Sequence, residues 1–383
     1  MANKISRRDF FGCSAALGGA ALLSSSPILT SCSGGSSKMV PLKKKGEYYI
    51  PVLADKADPG RELKVGLIGC GGRGSGALHN VLNAADGIIV HALGDVYEDR
   101  LNDVRAMLQR DRGIEVPSEN CFIGFDAYKK VIDSGVDMVI VTTRQAQAKG
   151  LAVICGTQRH HQRTYVEAYD LIQQGMIGEI TGGNVYWNQD QLWYRERQQG
   201  WSDVEWNIRD WVNWTWLSGD HIVEQHVHNI DVFMWMAGGI TPIKATGFGS
   251  RFRRVTGDQY DNFSIDFEFE NGVRLHSMCR QINGCDNKVG EIVHGTKGVW
   301  SSFDHAIKDW NGNVLWAYNH AENEAKFAQH DPYTLEHVDW VNHIRKGEPL
   351  DEATLCAQSS LAGIMGRESA YTGKEITWEA MSA

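Results

Sequence analysis

The sequence predicts an α/β protein whose folded part begins with a parallel sheet and continues into a second domain. Two observations predict this class. Between residues 63 and 142, short apolar strands alternate with helix-compatible stretches, which is the rhythm of a doubly wound parallel sheet. Farther along, residues 263–270 alternate apolar and polar side chains, and Asn271-Gly272 separates them from a strand-like run at 273–276. That pattern indicates an antiparallel hairpin with a type I′ turn and one buried face.

Length and charge limit the classes of function. The chain has 383 residues and a formal net charge of −9, which is enough length for two or three domains with substantial cores. The acidic balance provides no electrostatic footprint for DNA or RNA. We therefore expect a folded protein with no nucleic-acid partner.

The N-terminus has the pattern of an export signal. A twin-arginine pair lies in the stretch 6–11, and an apolar run of small residues follows at 13–23. This combination is typical of a Tat-type signal, and the run is too short for an ordinary transmembrane helix. The sequence Leu-Thr-Ser-Cys ending at Cys32 resembles a bacterial lipobox, which would make Cys32 a lipidated first residue of the mature protein. The alternative is a plain cleaved signal in which Cys32 is incidental.

These features give a first division of the chain. Residues 1–32 are assigned to the Tat-type, lipoprotein-like signal, and residues 33–62 to a linker, because Ser, Gly, Lys and Pro are frequent there. We expect a periplasmic protein whose only membrane contact is the lipid anchor. Tat substrates fold before export, in a reducing compartment, so the cysteines after the signal are expected to be mostly free, buried thiols.

A glycine-rich motif follows the first strand of the folded part. The strand-like run 63–68 leads into the sequence GCGGRG, and a helix-compatible stretch begins at Ser75. In a GxGxxG turn the first glycine permits the tight turn, the second lets backbone N–H groups approach a pyrophosphate, and the third allows close helix packing. The predicted dinucleotide contacts are Gly69, Cys70, Gly71, Gly72, Arg73 and Gly74.

An acidic residue ends the second strand. Asp95 lies twenty-one residues after Gly74, where a carboxylate accepts hydrogen bonds from the adenosine ribose. Because that carboxylate would repel a 2′-phosphate, NAD is the expected cofactor, and NADP is less favoured. Thr142 and Thr143 end the strand that begins at residue 137 and complete the predicted cofactor contacts.

Several segments together resemble the glucose-fructose oxidoreductase / inositol dehydrogenase / MocA family. They are KVGLIGCGGRG, GDVYEDR, FDAYKKVIDSGVDMVIVTT, GMIGEI, HNIDVFMW, HGTKG and the C-terminal EPLDEATLCAQSSLAGIMGRESAYTGKEITW. The resemblance implies an N-terminal Rossmann parallel sheet and a C-terminal α/β domain with an open, mixed, largely antiparallel sheet. It also implies homo-oligomerisation through that sheet and NAD(P)-dependent chemistry on sugars or polyols.

The resemblance sets the remaining domain boundaries. Residues 63–158 correspond to the Rossmann domain, truncated near 143–150. Residues 159–383 correspond to the substrate and oligomerisation domain, and its C-terminal helix is expected to pack back on the first domain.

The chain departs from the family pattern between two strand-like runs. The runs ending at Thr143 and beginning at Leu151 are joined only by RQAQAKG, whereas a parallel crossover needs about a dozen residues or more. Either the runs are not adjacent parallel strands, or a unit is absent. We favour an absent strand–helix unit, because the family's Glu-Lys-Pro motif, whose lysine assists proton transfer, occurs nowhere in this chain.

The predicted catalytic pair lies in the segment HIVEQHVHNID. Glu224 and His228 are four residues apart and would share one side of a helix. In the resembling family this position carries an acid and a histidine, and the histidine exchanges a proton with a sugar hydroxyl. A neutral imidazole suits that role, and a carboxylate would orient it. The alternatives are a helix-surface pair without a catalytic role and, less favoured, a metal site, so no metal is expected.

Further residues are predicted to contact a carbohydrate. Arg159 and His160 follow the strand predicted at 151–157, and the carboxyl ends of such strands face the ligand crevice. The other interpretation is a solvated loop. Seven tryptophans lie between residues 186 and 216. Most are expected to pack, and Trp187 is the predicted sugar contact.

The sequence therefore predicts an exported NAD(P)-dependent oxidoreductase acting on a hydroxyl of a sugar, glycoside or polyol. One alternative is an NAD-dependent glycosidase that oxidises, eliminates, adds water and reduces again. The other is a non-catalytic protein that binds sugar or nucleotide, because the lysine unit is absent.

Overall fold

The computed structural model describes residues 47–140 and 151–382. The chain divides into two compact units. The first unit comprises Gly46–Leu171 and Ala317–Ala357, and the second comprises Ile172–Trp316 and Gln358–Ala383. The predicted export signal with Cys32 and the predicted cofactor contacts Thr142 and Thr143 lie outside the described residues.

The described secondary structure has the following bounds. The strands are β1 (Leu63–Ile68), β2 (Ile88–Asp95), β3 (Cys121–Ile123), β4 (Met138–Ile140), β5 (Ala152–Val153), β6 (Ile180–Gln189), β7 (Pro242–Ser250), β8 (Asn262–Phe269), β9 (Arg274–Gln281), β10 (Lys288–Gly295), β11 (Gly298–Ser301), β12 (Ala306–Asp309), β13 (Val314–Ala317), β14 (Leu350–Asp351) and β15 (Ile376–Thr377). The helices are α1 (Gly72–Ala84), α2 (Glu98–Arg112), α3 (Ala127–Asp133), α4 (Arg163–Gln173), α5 (Asp203–Arg209), α6 (Thr215–Ser218), α7 (His221–Glu224), α8 (Val227–Met236), α9 (His320–Lys326), α10 (Pro332–Lys346), α11 (Ala353–Thr372) and α12 (Trp378–Ser382).

The first unit contains a four-stranded sheet with the order β3-β2-β1-β4. All three strand pairs are parallel, which confirms the predicted parallel sheet. Leu63, Val65 and Leu67 of β1 are fully buried, as expected for a strand in the middle of a sheet that is covered on both faces. The carboxyl ends of β1 and β2 lie side by side and carry the glycine motif and Asp95.

Helix α10 belongs to the core of the first unit, although it lies far along the chain. Its residues Val338, Trp340 and Val341 join the buried cluster formed by β1, α1 and α2. The Asn80 side chain of α1 donates to Asp331 Oδ2 (2.7 Å), the cap of α10. Packing of an apolar face therefore holds α10 against α1, with a polar contact at the helix start.

The strand predicted at 151–157 is shorter than expected. It forms only over Ala152–Val153, and it pairs in parallel with Leu350–Asp351 in a separate two-stranded sheet. The Glu352 N–H donates to the Val153 carbonyl (3.1 Å), and Glu352 Oε2 accepts from the Cys155 N–H (3.1 Å). In the described structure β5 is therefore not a neighbour of β4.

The second unit is built on a nine-stranded sheet with the order β13-β12-β11-β10-β6-β9-β8-β7-β15. The pair β6–β9 is parallel. The pairs β6–β10, β10–β11, β11–β12, β7–β8, β8–β9 and β7–β15 are antiparallel. This confirms the mixed, largely antiparallel sheet. The predicted hairpin joins β8 to β9, and Asn271 and Gly272 have φ values of 64° and 76°, the conformation of a type I′ turn.

The helix predicted from His221 onwards is interrupted, which corrects the expectation of one continuous helix. Helix α7 ends at Glu224 and α8 begins at Val227. Gln225 has φ −115°, far from the helical value of about −63°, and His226 N–H donates to the carbonyl of His221, five residues back (3.0 Å). His226 Nε2 lies 2.7 Å from Ser277 Oγ of β9. This buried contact accompanies the break.

Helix α8 is buried all round rather than amphipathic. Every residue from Asn229 to Met236 is less than 9% exposed, and the helix packs on β6 and β10.

Within the described residues, no helix is long and apolar enough to cross a membrane. In the described part of the chain Cys70, Cys155 and Cys279 are buried, whereas Cys121, Cys285 and Cys356 are half-buried, so the expected burial holds for three of these six thiols.

Candidate functional site

The glycine motif forms a tight turn between β1 and α1. Gly69 has φ +92° and its N–H donates to the Gly94 carbonyl at the end of β2 (2.8 Å). A Cβ on Gly74 would lie 1.9 Å from the Gly69 carbonyl oxygen, whereas at Gly71 and Gly72 it would meet nothing within 4 Å. Gly74 is thus required for the turn itself. Gly71 and Gly72 leave open space at the first turn of α1, where backbone N–H groups can receive an anion.

Asp95 closes this turn from the second strand. Its Oδ2 accepts from the Cys70 N–H (2.6 Å) and its Oδ1 from the Tyr97 N–H (2.8 Å). Each carboxylate oxygen can accept more than one hydrogen bond, so the positioned carboxylate retains the capacity to accept from a hydroxyl. The structure brings the predicted site residues Gly69, Cys70 and Asp95 together, and their contact with a cofactor stays a prediction.

Arg73 of the motif meets α10. Its guanidinium lies 3.9 Å from the centre of the Tyr333 ring and 3.9 Å from Glu336 Oε1. Burial raises the pKa of Glu336 well above its usual value, and the nearby charge of Glu352 adds to this. Burial also lowers the pKa of the adjacent His337 to about 4. The Arg73 side chain is half exposed, so it presents positive charge beside a buried acid that favours its neutral form.

Arg159 and His160 lie in a short 3₁₀ helix, Gln158–His161, rather than directly at a strand end. Both are buried, and the Arg159 guanidinium lies 5.8 Å from the centre of the Tyr165 ring. They belong to the same unit as the glycine motif. Their role in substrate binding remains a prediction.

His161, at the end of the same 3₁₀ helix, is a buried contact that sequence inspection did not single out. Its Nε2 lies 3.1 Å from Asp339 Oδ2 and 3.7 Å from Glu352 Oε1. The Tyr49 hydroxyl donates to the same Asp339 carboxylate (2.7 Å). These partners come from segments far apart in the sequence, so no local pattern could indicate them.

The second unit holds the predicted catalytic pair. His228 stacks on Trp187 of β6, with ring centres 5.7 Å apart and an angle of 27° between the rings. Glu224 Oε1 accepts from the Gln225 side chain (2.8 Å), and burial raises the pKa of Glu224. Because the helix is interrupted between them, Glu224 and His228 do not have the regular spacing of one helix. His228 and Trp187 are both predicted site residues, and the structure brings them into contact.

A buried arginine organises the loop beside these residues. Arg254 donates to Gln281 Oε1 (2.6 Å), to the Tyr260 carbonyl (2.9 Å) and to Asn213 Oδ1 (3.3 Å). Its positive charge acts to lower the pKa of Glu224, against the dominant effect of burial. Next to Gln281 is a surface depression of about 250 Å³, whose lining residues are Gln191, Tyr194, Arg253, Val255, Gln281, Ile282 and Asn283.

The tryptophans of the 186–216 region mostly contact one another or nearby polar groups. Trp206 packs edge-on against Trp214 at 5.2 Å and Trp193 against Trp211 at 6.3 Å. Trp206 Nε1 also donates to the Arg195 carbonyl (2.7 Å). These contacts are those of packing, as expected for most of the group.

Among residues 47–140 and 151–382, no group of three or more His, Cys, Asp or Glu could hold a metal ion.

Comparison with known proteins identifies part of the chain. Residues 165–301 match the family model of the GFO/IDH/MocA C-terminal domain. No curated protein gives a significant match.

Solved structures share the fold at low sequence identity. Myo-inositol 2-dehydrogenase from Lactobacillus plantarum is 19% identical, with a TM-score of 0.58, and the match covers 82% of this chain and 99% of that one. Scyllo-inositol dehydrogenase from Lactobacillus casei, solved with NAD(H) and scyllo-inositol, is 16% identical with a TM-score of 0.59 and covers the same shares. An oxidoreductase from Agrobacterium radiobacter, solved with NAD⁺, L-tartaric acid and magnesium, is 18% identical with a TM-score of 0.57, over 84% of this chain and 99% of that one. The chain therefore has the fold of these dehydrogenases.

Proposed function

We propose that this chain is an NAD(H)-dependent oxidoreductase of the Gfo/Idh/MocA family that acts on a hydroxyl of a sugar or polyol. The observation that carries the proposal is the glycine turn, in which Gly74 admits no Cβ and Asp95 ties the loop to β2. The family match over 165–301 and the shared fold with NAD(H)-bound dehydrogenases support it.

The first unit supplies the residues for NAD. The backbone of Gly71 and Gly72 at the start of α1 would hold the pyrophosphate, and Arg73 would add positive charge. Asp95 would accept from the ribose hydroxyls, which favours NAD over NADP because a 2′-phosphate would be repelled. Bound NAD supplies a hydride acceptor at its nicotinamide ring.

The second unit supplies the residues for the substrate. His228 would take the hydroxyl proton of a sugar or polyol during oxidation and return it during reduction. Stacking on Trp187 restricts the orientation of the imidazole, and we propose that Trp187 contacts a sugar ring. Glu224 is a positioning residue, and because burial raises its pKa, it favours a neutral carboxyl more than an exposed glutamate does.

The first experiment asks whether the purified protein carries nucleotide. After denaturation, the supernatant should contain NAD(H) by absorbance and fluorescence, and incubation with NAD and inositol or sugar panels should accumulate NADH. Absence of nucleotide in a protein that still binds sugar would contradict the oxidoreductase and favour a binding protein. Sugar release without added NAD would instead indicate the glycosidase chemistry.

A substitution at His228 tests the proton role. His228→Asn should lower turnover by about 10²–10⁴-fold and leave the content of bound nucleotide unchanged. The matched control is His276→Asn on β9, a half-buried histidine outside the proposed site. Turnover that is unchanged in His228→Asn would assign the proton transfer to another group.

We also propose that a strand–helix unit carrying Glu-Lys-Pro is absent between Thr143 and Gly150. The absence of the motif from the sequence and the separation of β5 from the four-stranded sheet support this. Resequencing the gene across this junction tests it. A gene that encodes the unit would show that the present sequence is shortened and would restore the lysine to the mechanism.

Export by the Tat route, with acylation at Cys32, is the localisation we propose. The twin arginines, the apolar run and the lipobox-like ending at Cys32 support it. Homo-oligomerisation is proposed from the family resemblance.

A further inference from the structure

The depression beside Gln281 has the composition of a ligand subsite. It lies wholly within the second unit, and it is lined by amide side chains, an arginine, a tyrosine and two aliphatic residues. At about 250 Å³ it is smaller than the ~300–1,000 Å³ of whole-ligand pockets. It therefore suits one group or one ring of a larger ligand.

Gln281 is a buried residue in the lining of this depression. Its side chain is 2% exposed, and its Oε1 accepts from the Arg254 guanidinium (2.6 Å). Because a guanidinium can only donate, this contact fixes the orientation of the amide. The Nε2 of Gln281 has no hydrogen-bond partner among the described residues. A buried donor without a partner is unfavourable, so an acceptor from a ligand would be favourable here.

Asn283 and Arg253 add further polar groups to the lining of the depression. Asn283 Oδ1 accepts from the Gln191 backbone N–H (2.8 Å), so its oxygen is occupied and its NH₂ group is left to donate. The Arg253 guanidinium lies near the Phe252 ring (5.7 Å), and in the part of the chain that the structure describes no carboxylate pairs with it. The Arg253 backbone is held by Asp261, whose Oδ2 accepts from its N–H (2.8 Å). Gln281, Asn283 and Arg253 thus all line one small space and bring two amide side chains and a cation to its wall.

We propose that this depression binds the anionic group of an acidic sugar, a carboxylate as in uronic acids or a sulfate ester. The donors of Gln281 and Asn283 and the charge of Arg253 match the acceptor oxygens of such a group. Tyr194, which is half exposed, provides an aromatic face beside the sugar ring. The inference rests on the proposed function only in taking the ligand to be a sugar.

The test measures binding and needs no turnover. Isothermal titration calorimetry of the purified full chain would compare D-glucuronate and D-glucose 6-sulfate with neutral D-glucose, without added nucleotide. At least one anionic sugar should bind tenfold or more tightly than glucose, and the preferred one identifies the group. Equal affinities for the three sugars, or no binding of any, would overturn the proposal.

Two variants locate the binding. Arg253→Ala should weaken binding of the preferred anionic sugar about tenfold. Gln281→Glu keeps an acceptor for Arg254 but replaces the donor by a negative charge, so it should weaken binding at least as much. Arg251→Ala, an exposed arginine of the same loop that does not line the depression, is the control and should stay within twofold. Circular dichroism melting checks that each variant folds.

The outcomes separate this inference from the proposed function. A chain that lacks NAD(H) and still prefers an anionic sugar would remove the oxidoreductase proposal and support the subsite. Wild-type affinity for the anionic sugar in both Arg253→Ala and Gln281→Glu would place the group elsewhere and overturn the subsite, whatever the nucleotide content.

Discussion

Gly74 illustrates how one missing side chain fixes a loop. Its backbone approaches the Gly69 carbonyl so closely that a Cβ would lie 1.9 Å from that oxygen. The obstacle is backbone, which cannot rotate away as a flexible side chain can. Any residue larger than glycine must therefore move the turn that joins β1 to α1.

The first prediction concerns this position. Gly74→Ala should weaken NAD binding by at least tenfold, about 1.4 kcal/mol, because the displaced turn no longer presents its N–H groups to the pyrophosphate. Fluorescence titration with NADH would measure the affinity, and thermal melting would report the stability.

Gly76→Ala is the matched control for that experiment. A Cβ at Gly76 meets nothing within 4 Å, and alanine is favoured over glycine inside a helix by about 0.5–1 kcal/mol. The variant should keep its NADH affinity and melt at the same temperature or slightly higher. Equal losses of affinity in Gly74→Ala and Gly76→Ala would contradict the specific role of Gly74.

Among the elements, α7 depends on an unusual cap. Asp220 is fully buried and has φ +73°, which is strained for a residue other than glycine. Its carboxylate accepts from the N–H of His221 (2.6 Å), from the N–H of Tyr260 (3.0 Å) and from the hydroxyl of Tyr371. Two helices, α7 and α11, and the loop before β8 are thereby tied to one charged group.

Because the cap of α7 is an ionised carboxylate, we expect the free energy of unfolding to depend on pH. Burial acts to raise the pKa of Asp220, but the contacts with His221 and Tyr371 outweigh it, so the pKa is lowered overall. Stability from the ionised carboxylate is therefore fully present above the unfolded value of about 3.9 and is lost as the pH falls through the lower folded value.

Asp220→Asn is the variant that measures this contribution. It should destabilise the protein by about 3 kcal/mol at pH 7, and the difference should shrink as the pH approaches 3. Urea unfolding between pH 3 and 7 is the measurement. Asp266→Asn, an exposed partner of Arg274, should cost less than about 1 kcal/mol. A loss for Asp220→Asn that is constant over this range would argue against the charge as its cause.

The elements also show what the sequence could and could not indicate. Periodicity and the glycine motif were sufficient for β1, β2 and the turn between them, because those features are set by neighbouring residues. The break at Gln225 was missed, since it coincides with a contact from His226 to Ser277 of another strand. The contacts of Arg73 with Tyr333 and Glu336 were missed for the same reason: their partners lie some 260 residues away.

At the scale of the whole molecule, the nine-stranded sheet has a row of side chains suited to subunit contact. Strand registers place Phe248, Ser264, Met278 and Tyr186 side by side across β7, β8, β9 and β6. Phe248 is 69% exposed and Met278 is 38% exposed. Exposed apolar side chains on a wide sheet are typical of an interface between subunits.

Phe248→Arg should therefore lower the fraction of the protein that is oligomeric in solution. Light scattering of the wild-type protein should give a multiple of the 42.7 kDa chain, and the variant should shift toward a single chain. Phe125→Arg, which replaces an exposed residue of the first unit (73%), serves as the control and should leave the mass unchanged. A wild-type mass of one chain would refute the oligomer.

The proposed export is also tested at the scale of the whole molecule. Changing Arg7 and Arg8 to lysine should abolish recovery of the protein in the periplasmic fraction of expressing cells, because the Tat route reads the arginine pair. Cys32→Ala should release the protein from membranes while keeping it periplasmic. Unchanged fractionation in the double lysine variant would rule out this route.

The first unit is built from two segments that lie far apart in the chain, Gly46–Leu171 and Ala317–Ala357. This affects how the unit forms while the chain is being synthesised. Strand β5 ends at Val153 and its partner begins at Leu350, so the ribosome must add roughly 200 residues between them. At ~5–20 residues per second, this takes about 10–40 s, during which the first unit lacks α10 and part of its core. The second unit can complete most of its sheet in that interval. Nascent chains are therefore expected to depend on chaperones at this stage. If the proposed NAD binding and Tat export hold, nucleotide loading would be a late event that precedes departure from the cytoplasm.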